Sequence, residues 1–406
     1  MQIIKKITEN NKSSFLDPNE IQQLCLERLR SNPLPSKESE TWRLSNHKKL
    51  SKLLNYEHDK NFQNPIIPEG LKSTDVIRLN IGLERKTNLE NNHWKIKELE
   101  EKEIIGLTKN LILKNNCDEN WGDILNHCLC DKQAVLGVSI SGNQIPPIEL
   151  FCSSLQDNFN SQIMVIFVEE NTEIDLLQVN ISEDSSALSL STFLFLQESA
   201  KVNHGIVSYG DQQSNLINSL KVIQQSKSEY NLGSVQLKFD FARFDIRINQ
   251  IEGNAKTIIK SIQMTKNNEQ ISTHSIIEFN GSNGFLDQLS KSLANDQSHS
   301  IFEGSIIVPK VAQKTDASQL SRNLLLSNQA RIDTKPQLEI IADDVKCKHG
   351  ATISQLNEDE LFYMRSRGLT LEESSKLQLK SYYQEIISFL PISVERWDLL
   401  DCLLAE

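Results

Sequence analysis

Short runs in which apolar and polar residues alternate follow one another over residues 134–353. Alternation with a period of two is typical of β-strands that bury one face. The run that starts at Val235 alternates through Phe241, but its apolar positions then change parity across Ala242 and Arg243. A change of parity inside one run predicts a bend or a β-bulge.

The same region carries a weak internal repeat of small polar turn segments. They begin at intervals of 28, 28, 27 and 28 residues, at Asn171, Ser199, Lys227, Asn254 and Ser282. Each interval holds about two strand runs and no helical pattern. A fixed period of this kind predicts a solenoid whose coils stack about 4.8 Å apart around a continuous interior. We therefore expect a mainly β protein with a parallel β-helix at its centre.

An antiparallel β-sandwich is the alternative for this region. Its hairpins would need tight turns, for which Asn-Gly and Asp-Gly pairs are the strongest signal. The chain has only 15 glycines, and Asn280 followed by Gly281 is the clearest candidate turn. The scarcity of such turns favours the β-helix.

Helical patterns precede the β-rich region. A helix is predicted over residues 17–30, amphipathic spacing resumes over residues 37–56, and a short helix is predicted over residues 121–129. Trp42 lies in the second of these segments and is interpreted as a packing anchor. Residues 57–95 are polar and rich in asparagine, which predicts an exposed connection with short ordered pieces.

Helical patterns also follow the β-rich region. Asn357 is predicted to cap a helix that stops at Gly368, and Thr370 begins a capping box and a helix that runs to about Leu390. Ser393 opens a last amphipathic segment. These C-terminal helices carry more apolar residues than a lone capping helix needs.

These patterns divide the 406 residues into three regions. Residues 1–120 are predicted to form an N-terminal helical domain with a polar connection, residues 121–353 the β-helix core, and residues 354–406 a C-terminal helical domain. An open β-helix exposes strand edges at both ends, and exposed edges template aggregation unless they are covered. The flanking helices therefore suit a role in capping the ends.

Composition narrows the class of protein. The chain is 38% hydrophobic with a formal net charge of -11, which argues against nucleic acid or an anionic membrane surface as the main partner. No apolar run approaches the length of a spanning helix, and the first residues lack the apolar core of a signal peptide. We expect a cytoplasmic protein.

The seven cysteines are odd in number and scattered, which predicts reduced thiols. His127, Cys128 and Cys130 are close in sequence, but side chains one and two positions apart do not converge on a helix. Buried structural thiols are therefore favoured over a metal site there.

Residues 343–350 place two carboxylates, a thiol and an imidazole in one short segment that ends in glycine. Cys347 and His349 are two positions apart, so on an extended chain they point to the same side and could share a metal or a sulfur. A lone Cys-x-His lacks the second ligand pair of a convincing metal site. On spacing alone, a solvated turn with one buried cysteine is favoured.

A longer pattern surrounds this segment. It consists of Gln313, Thr315, Asp316 and residues 323–326, 335–340, 343–347, 349–352, 361–363 and 365–368. The pattern resembles the C-terminal signature of the SufB/SufD family, whose members are scaffold subunits of the Suf iron–sulfur cluster assembly machinery. Residues 322–325 and 348–352 are more similar to the SufD branch than to the SufB branch, and residues 40–43 show weaker similarity.

The resemblance implies a parallel, right-handed β-helix and a non-catalytic scaffold subunit. It implies that the chain pairs with a SufB-like subunit and binds the ATPase SufC through its C-terminal helices. We also expect that the isolated chain can form a homodimer. It also places His349 on the family's matching histidine. We expect His349, with Cys347 beside it, to hold iron or a nascent Fe-S cluster transiently at the partner interface, where a partner thiolate could complete the coordination. Cys347 is either a ligand or a packing residue.

The alternative function is an enzyme that acts on a carbohydrate. β-Helices often do so with paired carboxylates, for which Asp343 and Asp344 are the candidates. Adjacent residues on a strand face opposite ways, which disfavours joint action on one bond. No phosphate-binding loop is present to support an independent ATPase.

Overall fold

The computed structural model describes residues 20–53, 55–58, 76–79, 81, 87–113, 118–130, 132–155 and 157–391. The predicted helix start at Asp17 and the predicted last helix from Ser393 lie outside these residues.

The described residues form twenty β-strands. They are β1 (Glu57–His58), β2 (Ile77–Leu79), β3 (Leu89–Glu90), β4 (Trp94–Glu98), β5 (Val135–Gly142), β6 (Ile148–Ser154), β7 (Asn158–Val168), β8 (Glu173–Ser182), β9 (Ala187–Leu196), β10 (Lys201–Gly210), β11 (Asn215–Gln224), β12 (Glu229–Leu237), β13 (Phe241–Gln250), β14 (Lys256–Thr265), β15 (Gln270–Phe279), β16 (Phe285–Ala294), β17 (His299–Val308), β18 (Asp316–Leu325), β19 (Arg331–Ile340) and β20 (Lys346–Ser354).

The strands build two sheets. Sheet A has the order β19-β17-β15-β13-β11-β9-β7-β5-β4-β3, with β1 also paired to β7, and sheet B has the order β2-β6-β8-β10-β12-β14-β16-β18-β20. From β5 onward all pairs are parallel, whereas β4 pairs antiparallel with β3 and β5. The chain alternates between the sheets, two strands to a coil, so Lys201 pairs with Glu229, 28 residues later. The predicted parallel β-helix is confirmed, and the antiparallel sandwich is wrong.

The sequence repeat corresponds to one corner of the solenoid. Asn171, Ser199, Lys227 and Asn254 all have positive φ, between 55° and 65°. The amide of Asn171 donates to the carbonyl of Glu198 in the next coil at 3.1 Å, so successive corners are joined by backbone hydrogen bonds. In the fifth segment the left-handed residue is Asn283, with φ of 58°, one position after the predicted Ser282. Each of these corners needs a left-handed residue, which explains why turn chemistry recurs close to the coil period.

The parity change near Arg243 has a different cause from the one predicted. The run is two strands in two sheets, β12 ending at Leu237 and β13 beginning at Phe241, rather than one bent strand. Lys238, with φ of 60°, forms the corner between them. The change of parity itself lies after that corner, inside β13, where Phe241 packs against the N-terminal helices and Phe244, Ile246 and Ile248 face the interior.

Within the described ranges, six α-helices flank the sheets. They are α1 (Glu20–Ser31), α2 (His47–Leu53), α3 (Glu101–Leu113), α4 (Trp121–Leu129), α5 (Glu358–Ser366) and α6 (Leu371–Ile387). The amphipathic segment over residues 37–56 is divided into a 3-10 turn, Glu40–Trp42, and α2. None of the helices among the described residues is both long and apolar enough to span a lipid bilayer.

The N-terminal helices are attached to the outer face of sheet A. Helix α4 contacts β7, β9 and β11, and its Asp123 lies 2.6 Å from Lys221 Nζ in a buried ion pair. Ser191 Oγ donates to Asp123 Oδ1 at 2.6 Å, and Lys221 Nζ donates to the carbonyl of Leu111 at 2.9 Å. Burial alone would raise the pKa of Asp123, but the Lys221 ammonium and the hydrogen bonds from Ser191 and Ser219 together outweigh burial and hold that pKa below its ordinary value.

The C-terminal helix α6 lies across the outer face of sheet B. Tyr383, Ile386 and Leu390 are buried there among apolar side chains of that sheet. Lys291 Nζ donates to Glu385 Oε2 at 2.8 Å and fixes the same half of the helix. The C-terminal helices therefore cover the side of the solenoid. Within the described residues β19 and β20 have no further strand partner.

Candidate functional site

Cys347 and His349 lie on β20, the edge strand of sheet B. In the parallel register Ala317 pairs with Cys347, and Gln319 pairs with His349. Ala317 and Gln319 are buried on the interior side of the solenoid, so their partners share that side at the last coil. The predicted extended geometry, with both side chains on one face, agrees with this placement.

The two side chains differ in their surroundings. Cys347 is half-buried and packs against the interior apolar core, whereas His349 is exposed. Burial, followed by the nearby carboxylate of Asp316, raises the pKa of the Cys347 thiol above its ordinary value. A raised pKa reduces the thiolate fraction at neutral pH. Of the two candidate ligands, His349 is the more accessible.

The surface around these residues is the open end of the solenoid, formed by edge strands β19 and β20. Apolar side chains are exposed on these strands and on the neighbouring corners: Val311, Ile340, Ile341 and Ile353. Along both strands the outward backbone N–H and C=O groups lack a ladder partner within the described chain. An edge of this kind pairs readily with another chain.

Sequence reasoning missed Gln319, which lies one coil beneath His349. The spacing of 30 residues between them is close to the coil period, so the repeat itself was the available signal. It was missed because the repeat was recognised at the corners and was not extended into the strand positions.

The two carboxylates of the proposed enzyme lie in the corner between β19 and β20. Asp343 and Asp344 are both exposed. The corner is held through the backbone, since the amide of Asp344 donates to Gln313 Oε1 at 3.0 Å. This geometry builds a turn and does not enclose a substrate.

The thiols of Cys128 and Cys130, in the group that also includes His127, are buried as predicted. Cys130 Sγ lies 3.3 Å from Ser161 Oγ. His127 Nδ1 lies 2.9 Å from the carbonyl of Asp123, one turn earlier on α4. Across the described residues, no group of three His, Cys, Asp or Glu side chains is positioned to hold a metal ion.

A second exposed surface lies between α5 and α6. Asn357 caps α5 by accepting from the amides of Asp359 and Glu360, and Thr370 and Glu373 form the predicted capping box of α6. The two helices form a groove of about 450 Å³, whose lining is Asp359, Glu360, Tyr363, Met364, Leu377, Gln378 and Ser381. Tyr363 is 59% exposed and Leu377 is 47% exposed, so the groove presents large apolar side chains to solvent.

Comparisons with known proteins agree with this architecture. A family model described as "SUF system FeS cluster assembly, SufBD core domain" matches residues 151–382, which include Cys347 and His349. The chain is 34% identical over 254 residues to an iron–sulfur cluster assembly SufBD family protein of Synechocystis, covering 59% of this chain and 55% of that protein.

Two further relatives extend the comparison. The chain is 33% identical over 236 residues to the chloroplastic protein ABCI7 of Arabidopsis thaliana, covering 57% of this chain and 50% of that protein. It is 38% identical over 144 residues to the iron-sulfur cluster assembly protein SufD of Escherichia coli, covering 35% and 34%. The chain spans about half the length of the first two relatives. Because the family model matches more than half of its residues, the chain belongs to the SufB/SufD family of iron–sulfur cluster assembly proteins.

Proposed function

We propose that this chain is a non-catalytic scaffold subunit of a cytoplasmic Suf complex. It pairs with a SufB-like subunit through the open end and binds a SufC-like ATPase through α5 and α6. Iron or a nascent Fe-S cluster is the cargo, held transiently where the two scaffold subunits meet.

The open end is the observation that carries the proposal. Strands β19 and β20 present unpaired backbone groups beside exposed apolar side chains, among them Ile340 and Ile353. A second β-helix could satisfy those groups by continuing one or both sheets, because strand addition supplies backbone hydrogen bonds and buries the apolar side chains together. A SufB-like subunit is the proposed occupant, and a second copy of this chain would take its place when the chain is isolated.

Iron at this interface would be held by His349. A neutral imidazole is a suitable ligand for iron, and the half-buried Cys347 lies two positions away on the same face. Because the described residues offer no complete ligand set, the remaining ligands must come from the partner or from solvent. No observation favours the carbohydrate enzyme.

Co-expression with SufB-like and SufC-like subunits tests the pairing. Ile340→Lys places a charge at the open end and should remove the SufB-like subunit from the purified complex. Ile251→Lys is the matched control, because Ile251 is 38% exposed against 40% for Ile340 but lies several coils away from the open end. Retention of the SufB-like subunit by Ile340→Lys would exclude the open end as the interface.

The ligand role is tested in the same complex with His349→Ala and Cys347→Ala. Iron and acid-labile sulfide are measured on each purified complex, together with its native mass. We expect His349→Ala to leave the complex assembled and to lower its iron and sulfide content. If the variant matures as much cluster as the wild type, His349 is not a ligand, and if only assembly fails, its role is structural.

A further inference from the structure

A file of hydrogen-bonded amide side chains runs through the solenoid interior and ends beneath His349. Gln288 Nε2 donates to Ser275 Oγ at 2.9 Å, and Gln319 Nε2 donates to Gln288 Oε1 at 2.9 Å. The two bonds fix the orientation of both amides, because each amide nitrogen donates to a residue earlier in the solenoid. Gln319 Oε1 is consequently left as the last acceptor of the file.

This last acceptor is buried and has no hydrogen-bond partner. Gln319 is 1% exposed, and its Oε1 receives no hydrogen from any described residue. A buried carbonyl oxygen without a donor is unfavourable, so its presence calls for an explanation. The residue next to it in the column is His349, one strand spacing of about 4.8 Å away, and both side chains are on the interior side.

The backbone of sheet A makes room for the Gln319 side chain. A Cβ atom at Gly304 would lie 2.4 Å from Gln319 Nε2 and 2.8 Å from its Cδ. Any other residue at this position would displace the amide. The absence of a side chain at Gly304 therefore leaves room for the Gln319 amide.

We propose that Gln319 is a positioning residue for His349. When the imidazole turns toward the interior, one ring N–H donates to Gln319 Oε1, which fixes the tautomer and leaves the lone pair of the other ring nitrogen directed away from the file. Histidines that bind metals commonly donate their second ring N–H to a carbonyl or carboxylate in this way. The iron-binding part of this inference rests on the proposed function, but the hydrogen bond itself does not.

The hydrogen bond is tested on the iron-free full-length chain by nitrogen-15 NMR of the His349 ring, at a pH where the imidazole is neutral. The wild type should show one tautomer. Gln319→Met removes the acceptor and should produce a mixture of the two tautomers. Gln288→Met, which is one coil deeper, frees the Gln319 amide to rotate and should also produce a mixture.

Gln236→Met is the matched control for these variants. Gln236 is also 1% exposed, also has an unpartnered Oε1, and also donates through Nε2, to Thr273 Oγ1 at 3.0 Å. It lies on β12, four strands of sheet B away from β20, so its loss should leave the His349 tautomer unchanged. If Gln319→Met keeps the wild-type tautomer, or if Gln236→Met changes it equally, the inference is wrong.

Binding of ferrous iron to the complex with the SufB-like subunit supplies a second readout. Gln319→Met should weaken it by about 10- to 100-fold, the usual effect of losing such a partner, and should have no further effect when combined with His349→Ala. An additional loss in that double variant would contradict the positioning role. If Gln319→Met changes the tautomer but His349→Ala binds iron as the wild type does, the proposed iron-binding function is wrong. The hydrogen bond between His349 and Gln319 would still stand.

Discussion

The guanidinium carbon of Arg243 lies 3.8 Å from the centre of the Trp42 ring. The two residues come from different parts of the fold, since Arg243 is on β13 of sheet A and Trp42 is in the 3-10 turn before α2. Trp42 also contacts Trp121 of α4, with ring centres 5.7 Å apart in an edge-on arrangement. This stack joins the N-terminal segment to the solenoid, and it explains the anchoring role predicted for Trp42.

Arg243→Leu should destabilise the chain by about 3 kcal/mol, because it removes a buried cation that serves several partners at once. Arg243 is 2% exposed, forms an ion pair of 2.8 Å with Asp245, and donates to the carbonyl of Thr41 at 2.7 Å. Urea denaturation of the purified chain measures the change in the free energy of unfolding.

Arg331→Leu is the control for this prediction. Arg331 also lies on sheet A and pairs at 2.8 Å with an aspartate two positions on, Asp333, but it is 62% exposed. An exposed ion pair contributes about 0.5 kcal/mol. Equal losses from the two substitutions would show that burial of the Arg243 site is not what stabilises it.

Gly233→Ala should weaken the attachment of α6 to sheet B and destabilise the chain by about 1 to 3 kcal/mol. A Cβ atom at Gly233 would lie 2.7 Å from Leu390 Cδ2, so the buried leucine would have to move. Gly350→Ala is the matched control on the same column of sheet B, where the nearest atom, Leu320 Cδ1, is 3.4 Å away. Limited proteolysis at the C-terminal helices would report the difference, and equal sensitivity of the two variants would contradict the prediction.

Stability should depend on the ionisation of Glu269. Burial raises the pKa of this carboxyl group from 4.5 to about 7. The folded chain therefore holds a proton that the unfolded chain releases, and the contribution of Glu269 to the free energy of unfolding falls as the pH rises from 4.5 to about 7. Glu269→Gln keeps the side-chain shape without the charge.

We expect Glu269→Gln to stabilise the chain by about 1 to 3 kcal/mol at pH 8 and to have little effect at pH 5. Urea denaturation at the two pH values measures the difference. Glu198→Gln serves as the control, since Glu198 is an exposed corner residue paired with Lys227. A gain from Glu269→Gln that is the same at both pH values would contradict the assigned cause.

The groove between α5 and α6 should bind the ATPase subunit. Leu377→Glu places a charge inside this apolar groove and should weaken co-purification of the SufC-like subunit by at least about tenfold, as expected for a central interface residue. Leu371→Glu is the control, because Leu371 is equally exposed but begins α6, where an acidic residue is compatible with the helix dipole. Unchanged ATPase binding by Leu377→Glu would exclude the groove.

Point substitutions are preferable here to deleting residues 357–406. The deletion would remove Tyr383, Ile386 and Leu390 from their buried positions on sheet B. It would therefore expose the outer face of that sheet, and a loss of ATPase binding could not be separated from a loss of folding.

The sequence by itself determined the features that depend on local chemistry. The coil period was readable because every coil needs a turn residue at the same corner, as at Asn171 and Lys227. The capping box at Thr370 was readable because both of its hydrogen bonds connect residues three positions apart. The strand alternation was readable because one side of each strand faces a common interior.

Only the tertiary structure decided which distant residues meet. The stack of Arg243 on Trp42, the position of α6 on the side of the solenoid, and the unpaired edges at the open end depend on contacts between separate elements. The parity change inside β13 was misread as a bend for the same reason, since the pattern does not reveal that Phe241 packs against helices outside the sheet. Periodicity specifies which face of a strand is buried, but the packing of whole elements specifies its neighbours.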